Sequence, residues 1–146
     1  MKEVTNNLIE LNEMLKCKIE IDVEMKEGEL ETLNDISSIY EKVLICRKAK
    51  NVDWIDLYTK IKPYINKSGL FSASKQKSSK ASLDATVNGL EILQIIDEKV
   101  TEEVSGDVKN SIKAVIEGLK TEFQQLANVI TIYVKLILEY RNFLKR

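Results

Sequence analysis

The sequence has no histidine, one proline, five glycines and two cysteines in 146 residues. Without histidine, the commonest general base, the commonest metal ligand and the usual near-neutral proton switch are all missing. Ser–His and Cys–His nucleophilic pairs cannot be assembled within this chain. Nor can the H-E-x-x-H zinc helix or the Glu-x-x-His pairs of di-iron bundles.

Cys17 and Cys46 stand far apart, with no C-x-x-C spacing. Two cysteines do not make the framework of a small secreted disulfide protein. Each reads as a small buried apolar residue. A single disulfide between them stays open if the first two helices form a hairpin. The glycines Gly28, Gly69, Gly89, Gly106 and Gly118 form no phosphate-cradling motif. Acidic pairs such as Asp53 with Asp56, or Glu31 with Asp35, read as surface charge on helices. "DVEMKEGELE" lacks the alternating oxygen ligands of a calcium loop. The expectation is no enzyme, no cofactor, no metal and no small-molecule ligand.

No apolar run reaches the roughly 18 residues of a membrane span. The first residues, "MKEVTNNLIELNEM", lack the continuous apolar stretch of a signal peptide. A soluble, cytoplasmic chain is expected, with export that needs no cleaved signal left open.

What is present favours helices. Hydrophobic residues make up 44% and charged residues 31%, ordinary values for a globular chain. Leu, Ile, Lys and Glu are abundant beside scarce Gly and Pro. The strongest pattern is at the end. Ile112, Val115, Leu119, Phe123, Leu126, Ile130, Tyr133, Ile137, Tyr140 and Leu144 recur in steps of three and four. That spacing predicts one long helix over about 107–145. Val129, Ile132, Val134, Leu136 and Leu138 widen its apolar side and leave only a narrow polar strip.

"VSGDV" (104–108) reads as a break, with Gly106 stopping one helix and Ser105 or Asp107 capping the next. A helix over 82–104 would then form an antiparallel hairpin with the last one. Residues 66–82, "NKSGLFSASKQKSSKAS", contain six Ser, four Lys and no acid. They read as a flexible Ser/Lys-rich loop that divides an N-terminal helical part (1–65) from a C-terminal hairpin (83–146) within one domain. In the first part, residues 51–63 predict a short helix capped by Asn51 or Asp53, with Trp54, Leu57, Tyr58 and Ile61 inward. Residues 29–48 predict another, with Leu30, Leu33, Ile36, Tyr40, Val43 and Leu44 inward.

"CKIEIDVEM" (17–25) alternates apolar and polar residues as a strand does. Two stripes on nearly opposite sides of a helix give the same local alternation. A strand needs a partner, so the segment is read as a first helix running to a break near Gly28, with Ile19 and Ile21 facing different neighbours. The expected fold class is all-α, a helical bundle of about five helices.

Charge is uneven. Residues 1–46 carry a net −6, residues 47–80 a net +7 and residues 81–146 a net −2. Arg47, Lys48, Lys50, Lys67, Lys75, Lys77 and Lys80 lie in the basic stretch and are candidate contacts for a partner or anion. Trp54, Tyr58, Tyr64 and Phe71 interleave with them, as single-strand nucleic-acid binders require. Cys17, Ile21, Ile132 and Leu136 are the candidate apolar partner surface. The leading expectation is a protein-interaction module, as adaptor, chaperone-like factor, inhibitor or assembly subunit, with self-association or another protein as partner. A membrane-active helical protein resembling a pore-forming toxin component is the first alternative. Nucleic-acid binding through 47–80 is the second.

Overall fold

The computed structural model describes residues 17, 19–21, 33–75 and 79–145. The chain is mostly helical over these, with four α-helices and no strand among the described residues. Helix α1 spans Ile36–Cys46, α2 Trp54–Ile61, α3 Leu83–Lys99 and α4 Glu102–Leu144; a 3-10 turn at Lys62–Tyr64 follows α2.

Short polar side chains start three of the helices. Asp35 accepts from the Ser37 N–H at 2.8 Å. Asp53 accepts from the Asp56 N–H at 3.0 Å, and Ser82 from the Ala85 N–H at 3.1 Å. Each satisfies a backbone donor that the first helical turn leaves orphaned. Pro63 falls in the 3-10 turn, where its fixed φ and missing N–H close α2.

Helix α3 is the hub, packing against α1, α2 and α4. It buries Ala85, Thr86, Gly89, Ile92, Leu93, Ile95 and Ile96, a face too broad for one neighbour. One apolar cluster joins Ala85, Ile92, Leu93, Ile95 and Ile96 to Ile36, Ile39 and Val43 of α1, Trp54, Leu57 and Tyr58 of α2, and Val108 and Val115 of α4. Polar links brace the same pairs. Tyr40 hydrogen-bonds Glu91, Arg47 pairs with Glu98 at 2.9 Å, and Ser105 Oγ donates to Asp97 at 2.5 Å.

Several expectations are corrected. The break at "VSGDV" does not occur. Helix α3 ends at Lys99, Val100 is extended, and α4 begins at Glu102, five residues before the expected start near 107. Ser105 and Gly106 are therefore helical. A helical glycine costs about 1 kcal/mol relative to alanine. Burial of Ser105 and Val108, the Ser105–Asp97 bond, and Glu102 and Glu103 in the positive first turn outweigh it.

Where it is described, the segment 66–82 is packed against the helices and not a freely solvated loop. Leu70, Phe71 and Ser72 are buried. Phe71 bridges Ile65, Ser72 bridges Ala81, and the Ile36 N–H donates to the Ala73 carbonyl at 2.8 Å. Ser-rich composition suggests a solvated loop, yet Thr86 Oγ1 accepts the Phe71 N–H at 3.0 Å and draws the segment inward. Thr86 itself is buried, its hydroxyl donating to the Ser82 carbonyl at 2.6 Å.

Of the helix expected over 29–48, the stretch Ile36–Cys46 is helical with Asp35 as its cap, Leu33 is in a bridge, and residues 29–32, with Leu30, lie outside the described residues. Its inner face is Ile36, Ile39, Val43 and Cys46, while Leu44 is exposed. The helix expected over 17–25 is likewise corrected where it is described. Cys17, Ile19, Glu20 and Ile21 are not helical. Ile21 forms a parallel bridge with Leu33, whose N–H donates to the Glu20 carbonyl at 3.1 Å. Where it is described, the alternating stretch pairs through Ile21, and Leu33 is the partner it needed. The remaining residues of the expected first helix, 1–16, 18 and 22–28, lie outside the described residues.

Candidate functional site

Helix α4 has two unlike halves. From Glu102 to Leu119 it is held by the core. Ser105, Val108, Val115 and Gly118 are buried, and Val104, Ile112 and Leu119 pack partly against the apolar cluster. The Tyr58 hydroxyl ties this half to α2, donating to the Asp107 carbonyl at 3.1 Å and bonding Ser111 Oγ at 2.8 Å. Gly118 lets the turn at Ser68–Gly69 approach closely. A Cβ on Gly118 would sit 2.5 Å from the Ser68 carbonyl oxygen, and one on Gly69 would sit 2.6 Å from that of Ala114.

Beyond this contact, every described residue from Lys120 to Lys145 is exposed. At 1.5 Å per residue, the stretch projects roughly 37 Å past the domain. It is not polar. Thirteen large hydrophobic side chains between Phe123 and Leu144 are 46–69% exposed. The stripe that is buried at Val115 and half-buried at Leu119 continues in the open as Phe123, Leu126 and Ile130. Polar groups on this half bond within their own helix, as Gln124 does to Asn128 at 3.1 Å and Thr131 to the Ala127 carbonyl at 2.9 Å.

The four candidate apolar residues separate into two pairs. Ile132 and Leu136 are on the projecting helix, 59% and 54% exposed. Cys17 and Ile21 are buried, so they offer no surface; Ile21 belongs to the apolar core. Cys17 and Cys46 both carry reduced thiols, with no disulfide between them. Burial pushes the Cys46 thiol up to about 12, and a hydrogen bond with Cys17 adds to the rise.

The basic candidates do not converge. Arg47 is paired with Glu98 at the end of α1. Lys48 and Lys50 are exposed just after it. Lys75 and Lys80 are exposed beside the other end of α1, where Ala73 meets Ile36; the eleven residues of α1 separate the two groups by about 16 Å. Lys67 lines a hollow of about 400 Å³ that also contains Glu117 and Glu122. Lys77 lies outside the described residues. Trp54, Tyr58, Tyr64 and Phe71 are all buried, so none of these rings is open to stack on a base.

A second hollow, of about 230 Å³, is lined by Cys17, Glu20, Asp53, Asp56 and Lys60. Lys60 is already paired with Asp56 at 2.9 Å. No group of three or more Cys, Asp or Glu able to hold a metal ion occurs among the described residues. Likewise, no helix among them is long and apolar enough to cross a membrane.

The exposed α4 face is the feature that sequence reasoning half found. Its apolar width was visible, but burial against neighbours was the simplest account of that width. Only the geometry separates the packed half from the bare one. No family model, no curated protein and no solved structure matches this chain.

Proposed function

We propose that this chain is a non-enzymatic protein-interaction module, cytoplasmic in location, that works through the distal half of α4. One observation supports the reading above all others: thirteen large apolar side chains stand about half exposed on a helix that leaves its own domain. They present on the order of 1,000 Å² of apolar surface, against roughly 300–600 Å² for the largest patch on an ordinary monomer. A protein interface of standard size covers about 800 Å² on each partner. The remainder of the molecule serves as a mount. Helix α3 and the first half of α4, read as an antiparallel hairpin joined through Val100 and Thr101, fix the direction in which the distal half projects.

The test is a photo-crosslinking amino acid placed at Ile132 or Leu136, with Asn128 and Thr131 as polar-face controls, in the native host. Protein adducts from the apolar positions and few from the controls are expected. Absence of any protein adduct at all four positions overturns the reading. The same arc motivates a second reading, in which α4 lies in a lipid interface with its polar strip toward water. Leakage or co-sedimentation of liposomes, abolished by Ile132→Lys, favours that reading instead.

A further inference from the structure

We propose that the occupant of the exposed α4 face is the same face of other copies of this chain, in a helical bundle of at least three copies. This inference rests on the interaction reading above and names its partner. The exposed stripe is regular. Phe123, Ile130, Ile137 and Leu144 fall seven apart, with Leu126, Tyr133 and Tyr140 interleaved in alternating steps of three and four. An average spacing of 3.5 keeps a seam turned toward a partner helix along its whole length. The seam stays intact over this span while belonging to no part of the apolar core among the described residues.

Charge permits identical copies to meet. Between Phe123 and Leu144 the charged residues are Lys135, Glu139 and Arg141. At 100° per residue, Lys135 and Glu139 fall on the side opposite the seam, and Arg141 falls on its flank near the C-terminal end. The seam positions themselves carry no charge, so none meets its own copy when two such seams close, in either direction. Area permits it too: the apolar surface available exceeds the roughly 800 Å² per partner that a stable interface uses.

The width of the arc sets the number of copies. Val129, Ile132, Leu136 and Phe143 extend the apolar surface on one flank, and Val134 and Leu138 on the other. Together with the seam they cover roughly two-thirds of the circumference, far more than one helical neighbour can bury. Each α4 therefore needs two neighbours, which excludes a closed pair.

Sedimentation equilibrium of the full chain tests this. The expected result is a mass at least three times that of one chain, falling with dilution. Ile130→Asp and, separately, Tyr133→Asp are expected to give monomers with unchanged unfolding of the core, since both positions are more than half exposed. Thr131→Asp, on the polar strip, is expected to leave the assembly intact. A wild-type chain that is monomeric at every concentration overturns the inference, as does an assembly that survives both seam substitutions. A monomer that crosslinks through Ile132 to a different protein overturns self-association and leaves the interaction reading standing. A monomer that binds neutral or anionic vesicles through this face overturns it in favour of lipid.

Discussion

The ring of Phe71 lies directly on Gly89 of α3, where a Cβ would come within 2.3 Å of the nearest ring carbon. This contact explains why a Ser-rich stretch is buried: the helix has a gap at Gly89 and the loop fills it. Gly89→Ala is expected to lower stability by about 1–3 kcal/mol, the usual cost of overpacking. The gain in helix propensity offsets only about 1 kcal/mol. The check is the urea midpoint, and a midpoint at or above that of wild type contradicts the packing described.

The two α4 glycines separate local conformation from packing. Gly106 has nothing within 4 Å of a hypothetical Cβ and lies inside the helix. Gly106→Ala is therefore expected to stabilise the protein by about 0.5–1 kcal/mol through backbone entropy. Gly118→Ala has the same backbone but meets the Ser68 carbonyl, and is expected to destabilise by about 1–3 kcal/mol. Thermal unfolding of the two variants should move in opposite directions.

Tyr58 is the polar link between α2 and the packed half of α4. Tyr58→Phe keeps the ring and removes the hydroxyl. A loss of about 1 kcal/mol is expected, the net worth of a typical hydrogen bond. Amide exchange near Asp107 and Ser111 should accelerate, while exchange in α1 follows only the global change.

Cys46 predicts a pH dependence. Its thiol is raised by burial, and further by Cys17, from 9.0 to about 12. Unfolding restores the ordinary value, so between about pH 9 and about pH 12 the unfolded chain holds fewer protons than the folded one. Stability must therefore fall as pH rises through that window, and Cys46 contributes no pH dependence below it. Cys46→Ala should flatten this part of the stability–pH curve. Slow alkylation of both buried thiols until denaturant is added is the accompanying observation expected.

The amphipathic helices were legible where one face met one neighbour. The spacing of Trp54, Leu57, Tyr58 and Ile61 gives α2 and its buried side without further help. Reading failed where a tertiary partner decided the outcome. Ile21 bridges Leu33, and Leu33 by its own spacing reads as part of a helix. Gly106 looks like a stop in isolation, yet it continues a helix because Ser105 and Val108 are anchored on either side. The candidate surface was legible in composition but not in exposure. Ile132 and Ile21 are equally apolar in sequence, and only the fold leaves one bare and buries the other.

The central claim is that the distal half of α4 is covered by other molecules and not by its own domain. Amide hydrogen exchange across residues 120–144, measured at high and low protein concentration, addresses it most directly. An isolated helix of this length is marginal in water. The account predicts strong protection when concentrated, lost on dilution and lost in Ile130→Asp, while α3 stays protected throughout. Protection of residues 120–144 that is independent of concentration and unaffected by Ile130→Asp would contradict it.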